Sequence, residues 1–176
     1  MFVMEEGNSI LVYNNLGKLV YKSAKILQYK KFDSESLVII TESSVDFVNQ
    51  TSTKDRQDIT VVNDTRFVSA YIQDNLIFIQ RKIGIPMIDI YDNQFINIMR
   101  LYQNINGKWV HFLLKMGIPY KVIIPTYLEG EILYGVRKGK VVSFNLQTKE
   151  LKICKVKPSG VPLAIILNKF KTGVNQ

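Results

Sequence analysis

The chain has 176 residues and a formal net charge of +8, and 47% of its residues are hydrophobic. This composition excludes a disordered chain, since disordered segments are poor in the aromatic and β-branched residues that abound here. The longest apolar run, residues 161–167, contains a proline and is far shorter than the roughly 20 residues that cross a bilayer. No charged-then-apolar signal segment opens the chain. We therefore expect one cytoplasmic domain over residues 1–176, without a membrane partner.

Short runs of β-branched and aromatic residues recur along the chain, separated by clusters of Gly, Asn, Asp and Pro, a pattern typical of strands and tight turns. In chain order, strands are predicted at 9–13, 18–22, 37–41, 45–49, 66–72, 76–80, 87–91, 95–101, 109–114, 121–126, 131–136, 140–145, 150–156 and 163–167. Segment 108–118 also fits one or two helical turns, and both interpretations stay open. Short strands at hairpin-length spacing predict an all-β fold of antiparallel meanders.

Two segments share one order of strands and turns. Residues 131–151 contain a strand, a glycine turn, a strand, a polar turn and a strand, and residues 76–95 repeat that order with a longer first turn. Parts of it recur at 37–49 and 10–21. Aligning four equivalent positions gives spacings of 34, 43 and 54 residues; these positions are Tyr13, Phe47, Ile90 and Phe144. Propeller blades repeat at roughly 40–50 residues.

These segments resemble β-propeller blades of the WD40-like or quinoprotein-like kind, in which a strand ends in a short polar turn such as Ser143-Phe-Asn-Leu-Gln-Thr-Lys-Glu150. The Gly-His and Trp-Asp dipeptides of WD40 repeats are absent from the sequence. The resemblance implies a small or partial propeller, which closes as a four-bladed ring if segment 163–167 joins the N-terminal hairpin. The alternative fold is an irregular β-sandwich.

Residue counts limit the chemistry of the chain. Cys154 is its only cysteine and His111 its only histidine, which excludes an intrachain disulfide, a cysteine-based zinc site and most histidine-dependent triads. We expect both side chains to be structural. The acidic pairs Asp55/Asp58, Asp89/Asp92 and Glu129/Glu131 are expected to be non-catalytic. Asp89 and Asp92 fall at a strand end and in the turn after it, and Glu129 and Glu131 frame a turn. No enzyme activity, metal, cofactor or small-molecule substrate is predicted.

Positive charge is concentrated in the last third of the chain. Residues 1–114 hold 12 Lys or Arg and 12 Asp or Glu, whereas residues 115–176 hold 11 against three. This asymmetry indicates an acidic partner. The candidate residues for binding nucleic acid or an acidic partner are Arg137, Lys138, Lys140, Lys149, Lys152, Lys155 and Lys157.

Aromatic residues interleave with these cations, as in proteins that bind single-stranded nucleic acid; they are Tyr120, Tyr127, Tyr134 and Phe144. Lysines also protect edge strands and keep β-rich proteins soluble, and we favour this solvation, or electrostatic docking, over nucleic-acid binding. Arg137 is the only arginine of the last third. Because arginine is the residue that reads bases bidentately, sequence-specific recognition is not expected.

The sequence favours a non-enzymatic β-scaffold that acts as a protein-interaction or assembly subunit, with another protein or a second copy of the chain as its partner. The alternative is a nonspecific nucleic-acid-binding protein that uses the basic C-terminal third. Alanine is scarce beside abundant isoleucine, lysine and asparagine, which indicates a virus or another AT-rich genome as the source.

Overall fold

The computed structural model describes residues 1–51, 56–64, 66–115 and 118–170. Nearly all of its regular structure is antiparallel β-sheet, which confirms the predicted all-β fold. The strands are β1 (Phe2–Glu6), β2 (Ser9–Tyr13), β3 (Leu19–Ser23), β4 (Ile26–Lys31), β5 (Ser36–Thr41), β6 (Val45–Thr51), β7 (Arg56–Val62), β8 (Phe67–Gln73), β9 (Leu76–Ile83), β10 (Ile85–Tyr91), β11 (Asn97–Gln103), β12 (Trp109–Lys115), β13 (Ile118–Glu129), β14 (Ile132–Arg137), β15 (Lys140–Asn145), β16 (Leu151–Ile153) and β17 (Val161–Pro162). A short helix, α1 (Leu163–Leu167), follows them.

Within each of the three sheets, strands that follow one another in the chain pair as neighbours, so each sheet is a meander apart from β17. The first sheet is β1–β2–β3, the second is β4–β5–β6–β7, and the large sheet runs from β8 to β16 with β17 beside β13. Hairpin turns with positive φ explain this pairing, because their backbone twist matches that of the flanking strands. Between β14 and β15, for example, Lys138 has a φ of 49° and Gly139 a φ of 72°.

One turn recurs after β2, β10 and β11. An Asn or Asp side chain accepts hydrogen bonds of 2.9–3.0 Å from the N–H groups two and four residues later, and the residue three positions later has positive φ. The three turns begin at Asn14, Asp92 and Asn104, and their positive-φ residues are Gly17, Phe95 and Gly107. A related turn begins at Asn145 after β15. Three of these turns, at Asn14, Asp92 and Asn145, follow the strands that hold the aligned positions Tyr13, Ile90 and Phe144.

The sheets stack face to face on two apolar clusters that meet at β5. Leu37 and Ile39 on one side of this strand pack with Ile10 and Val12 of the first sheet. On its other side, Val38 and Ile40 pack with residues of the large sheet, among them Ile77 and Ile79. All six residues of β5 are buried, as expected for a strand covered on both faces.

The largest cluster lies inside the curl of the large sheet. Phe78 of β9 and Phe144 of β15 both belong to it, and α1 adds Leu163 and Ile166. The sheet curls closely at Gly135, where a Cβ atom would lie 2.3 Å from the Cγ2 atom of Ile123. Only glycine fits this approach.

Five elements of the structure differ from the sequence prediction. Residues 163–167 form a helix rather than a strand, because an apolar run of this length has no period long enough to separate the two. Helix α1 packs into the largest cluster, and β17 before it pairs with β13. The strands β1, β4, β7 and β17 were not predicted. Segment 109–114, left open as strand or helix, belongs to β12.

Candidate interaction site

An apolar surface remains uncovered on the face of the large sheet that points away from the largest cluster. The second sheet covers the part of this face around Ile79. Further along it, five apolar side chains stay between 37% and 49% exposed: Ile85, Phe112, Val122, Ile124 and Val136. Together with Tyr102 and Val110 we call them the apolar face.

Strand register places these residues on one side of the sheet. Cross-strand partners share a face, and so do residues two apart along a strand. The partner pairs are Tyr102 with Val110, Phe112 with Val122 and Ile124 with Val136. Ile85 joins them because it lies two residues before Met87, the partner of Tyr102.

A groove crosses the apolar face where β11 and β12 separate. The two strands pair only at Tyr102 with Val110 and at Gln103 with Trp109. The groove has a volume of about 860 Å³, and its apolar walls include Ile85, Tyr102 and Phe112. The rings of Tyr102 and Phe112 meet edge to face with centroids 5.8 Å apart, so this wall is an ordered aromatic surface.

Where β11 is not paired with β12, two side chains form hydrogen bonds with its backbone. Lys149 donates a hydrogen bond from Nζ to the carbonyl oxygen of Ile98, and His111 Nδ1 donates to that of Arg100 over 3.3 Å. Burial lowers the pKa of His111, and the charge of Lys149 acts in the same direction. Burial also lowers the pKa of Lys149. Through these two hydrogen bonds to β11, Lys149 and His111 help to keep the sheet curved.

An ion cluster lies beneath the groove. Arg100 donates to Asp89 through Nε over 2.5 Å and through Nη2 over 2.9 Å, and Arg81 Nε lies 3.6 Å from the same carboxylate. The side chain of Asp89 is 1% exposed, whereas that of Arg100 is 39% exposed. Hydrogen bonding to Asp89 raises the pKa of Arg100. Both guanidinium groups face this one buried carboxylate, and Arg81 Nη1 also lies 3.9 Å from the carboxylate of Asp64.

The structure places the three acidic pairs in different surroundings. Asp89 was expected near the end of a strand, and it lies in β10, where it pairs with arginine because its register partner on β11 is Arg100. Asp92 does cap a turn, as expected. Glu129 and Glu131 flank the turn between β13 and β14, as expected. Asp55 lies outside the described residues, and so does the side chain of Asp58.

The predicted basic residues do not form one cluster. Arg137, Lys138 and Lys140 share the tip of the β14–β15 hairpin. Lys152 pairs with Glu150 over 2.9 Å, and this hydrogen bond raises its pKa. Lys155 and Lys157 are exposed in the segment after β16, and Lys149 is held against β11, as described above.

The aromatic residues predicted to accompany these cations are also dispersed. Phe144 is 4% exposed and packs against His111, with ring centroids 5.2 Å apart, so it does not present a surface to bases. Tyr134 is half-buried and donates to Glu129 over 3.3 Å. Tyr127 is half-buried, and the side chain of Tyr120 lies outside the described residues.

A second uncovered apolar surface lies on the first sheet. Phe2, Met4 and Leu19 are 66%, 50% and 45% exposed. Their register partners, Tyr13 for Phe2 and Leu19 and Leu11 for Met4, share their side of the sheet. We call these five residues the N-terminal face. This face was not predicted because β1 was not predicted, although Phe2 and Met4 already show the alternation of a strand.

Within the described ranges, no three His, Cys, Asp or Glu side chains come together as metal ligands. Among the same residues, none of the helical structure has the length and hydropathy needed to cross a membrane. No protein-family model matches the chain, and no curated protein is significantly similar to it.

Proposed function

We propose that the protein is a non-enzymatic β-scaffold that binds another protein chain through the apolar face. The supporting observation is the group of five apolar side chains, 37–49% exposed, on one side of a single sheet. Scattered apolar residues are normal on a protein surface, whereas a contiguous apolar patch marks an interaction site.

The energetics favour covering this surface. Complete burial of a Val, Ile or Phe side chain contributes about 1.5–3 kcal/mol. Each of the five side chains is already more than half buried, so a partner that covers the remainder gains about 1 kcal/mol from each. The groove adds Tyr102 and Arg100, residue types that are enriched among the residues that dominate binding energy at interfaces.

A small or partial propeller-like arrangement is the fold that we propose for this scaffold. Two observations support it: the meanders stack face to face in chain order, and the same side-chain-capped turn recurs in the first and the large sheet. An irregular β-sandwich is the alternative architecture. In both, the apolar face lies on the part of the large sheet that the second sheet leaves uncovered.

Site-specific photo-crosslinking in cells of the source organism tests the proposed function. A photoreactive residue at Val122, at the centre of the apolar face, is expected to form a discrete adduct with a protein chain. The matched control is Ile153, which is 67% exposed at the other side of the large sheet and is expected to give no such adduct. If Val122, Phe112 and Val136 all give no adduct beyond that of Ile153, the proposal is wrong.

Nonspecific nucleic-acid binding is the second candidate function. Its support is the hairpin tip, where Arg137, Lys138 and Lys140 adjoin without an ion-pair partner among the described residues. Fluorescence anisotropy with labelled single- and double-stranded DNA and RNA tests it at low and moderate salt. Binding through phosphates is expected to weaken steeply with salt and with charge reversal of the three residues. Reversal of Lys18, Lys22 and Lys25 is the control, and absence of binding at low salt excludes this function.

A further inference from the structure

We infer that the apolar face receives the N-terminal face of a second copy of this chain, so that copies associate head to tail. This inference rests on the proposed function, because it names the partner of the same surface. It follows from two uncovered faces of the same kind, one on the first sheet and one on the large sheet.

The packing inside the chain supplies the pattern. The inner side of the first sheet packs on the second sheet through Ile10 and Val12, and the second sheet packs on the large sheet through Val38 and Ile40. Each contact joins two apolar sheet faces. The N-terminal face and the part of the large sheet beyond the second sheet are the two faces left over. A second copy placed in the same manner buries both, since sheets pack through interdigitating side chains.

The charges favour this pairing over contact between two apolar faces. Glu6 lies two residues after Met4 and therefore on the N-terminal face, with Lys22 at the opposite edge of the sheet. Arg100 lies beside the apolar face, where its side chain lines the groove, is 39% exposed and pairs with Asp89. A head-to-tail contact brings a carboxylate within the reach of this arginine. Two apolar faces in contact would bring two Arg100 side chains together, and like charges at an interface are unfavourable.

The expected association is weak. The N-terminal face belongs to three strands of five residues each, and alternate residues point outward. It therefore offers about seven or eight side chains, against about 20–30 residues on each side of a standard interface. We expect dissociation constants of about 10–100 μM, within the range of sedimentation velocity.

Complementation between two variants tests the inference. Phe2→Glu/Met4→Glu removes the N-terminal face and leaves the apolar face, whereas Phe112→Glu/Ile124→Glu does the reverse. Each variant alone is expected to lose at least about tenfold in self-association, because a carboxylate would be buried without a partner. An equimolar mixture is expected to form one-to-one dimers and nothing larger. Only a head-to-tail contact restores association in the mixture and stops it at two copies.

Controls separate this outcome from unfolding. Leu27 is 57% exposed on β4, outside both faces, and Leu27→Glu is expected to associate like the wild type. The corresponding serine variants at positions 2 and 4 or 112 and 124 report on association if a glutamate variant fails to fold. A wild type that stays monomeric at several hundred micromolar, or a mixture without dimers, overturns the inference.

The two proposals fail differently. If Val122 crosslinks to a different protein and the wild type stays monomeric, the scaffold function stands and the second copy is excluded. If Val122 crosslinks to the same chain and the variants complement each other, both stand. If there is neither an adduct nor self-association, both are wrong.

Discussion

The side-chain amide of Gln28 makes two hydrogen bonds with the backbone of Ile72. Its Nε2 donates to the carbonyl oxygen of Ile72 over 3.0 Å, and its Oε1 accepts from the N–H group over 2.9 Å. Ile72 lies on β8, the edge strand of the large sheet, and Gln28 lies at a register shift in β4. One amide thus takes the place of a neighbouring strand and joins the second sheet to the large one.

Replacement of Gln28 by alanine is expected to lower the free energy of unfolding by about 1–3 kcal/mol, because it leaves the buried donor and acceptor of Ile72 unpaired. Gln28→Glu keeps an acceptor and loses the donor, so an intermediate loss is expected. Urea unfolding measures both. Gln73→Ala, which removes an exposed amide one residue along β8, is the control. An alanine variant as stable as the wild type would contradict the role of this amide.

Phe95 combines backbone strain with aromatic packing. Its φ is 61°, and its ring stacks on Tyr91 at 4.7 Å and on Phe47 at 5.3 Å. Phe95→Ala loses the stacking and keeps the strain, whereas Phe95→Gly loses both. We expect both variants to be less stable than the wild type. The free energy of unfolding of the glycine variant is expected to exceed that of the alanine variant by about 1 kcal/mol. Thermal unfolding compares the stabilities of the two variants. Equal stability would show that the backbone at Phe95 is not strained.

Asp89 is the buried centre of the ion cluster beneath the groove. Asp89→Asn is expected to cost about 2–3 kcal/mol of unfolding free energy, because it leaves Arg81 and Arg100 without their shared carboxylate. The cost stays below that of a fully buried pair, since solvent screens the partly exposed Arg100. Arg66→Met breaks the exposed pair with Asp64 and is expected to cost less than about 1 kcal/mol. A smaller loss for Asp89→Asn than for Arg66→Met would contradict this ranking.

His111 makes the stability of the fold depend on pH. Burial lowers its pKa in the folded state, so the unfolded state binds the proton at higher pH. Stability is therefore complete above the unfolded pKa of about 6.5 and falls as the pH drops towards the folded pKa. Urea unfolding between pH 5 and 7 is expected to show this slope in the wild type and to lose it in His111→Phe. The single histidine ring gives one NMR titration, and a midpoint above 6.5 would refute the direction.

Lys149 is expected to act in stability and not in partner binding. Lys149→Met removes the hydrogen bond to Ile98 and is expected to lower the free energy of unfolding by about 1 kcal/mol. Lys155→Met changes an exposed lysine of the same region and is expected to have no measurable effect. Chemical unfolding of both variants decides between the two roles. If both variants are equally stable, Lys149 does not stabilise the fold and remains a candidate for partner binding.

The hairpin of β14 and β15 shows what the sequence predicts well. Alternating residues and the Arg137-Lys-Gly139 turn locate both strands to within one residue. Strand β4 was missed because Gln28, Lys30 and Lys31 interrupt its apolar pattern. These residues face other elements of the chain, and local periodicity does not contain that information.

The apolar face could not be predicted from the local sequence pattern either. In β12 and β13, Val110, Phe112, Val122, Ile123 and Ile124 read as strands buried on both sides. Which side stays open depends on how far the second sheet extends over the large one. The pairing of Asp89 with Arg100 similarly depends on strand register between β10 and β11. Both are tertiary properties, set by pairing across the sheet and not by the composition of one segment.

Strand β5 imposes an order on folding during synthesis. Residues 1–23 leave the ribosome before β5, yet Ile10 and Val12 gain their packing surface only when Leu37 and Ile39 have followed. Until then the first sheet is a three-stranded ribbon with apolar residues on both sides and no support. The nascent N-terminal segment therefore stays exposed until the residues up to Ile39 have emerged. A translational pause before β5 would prolong the interval in which this segment binds chaperones or aggregates.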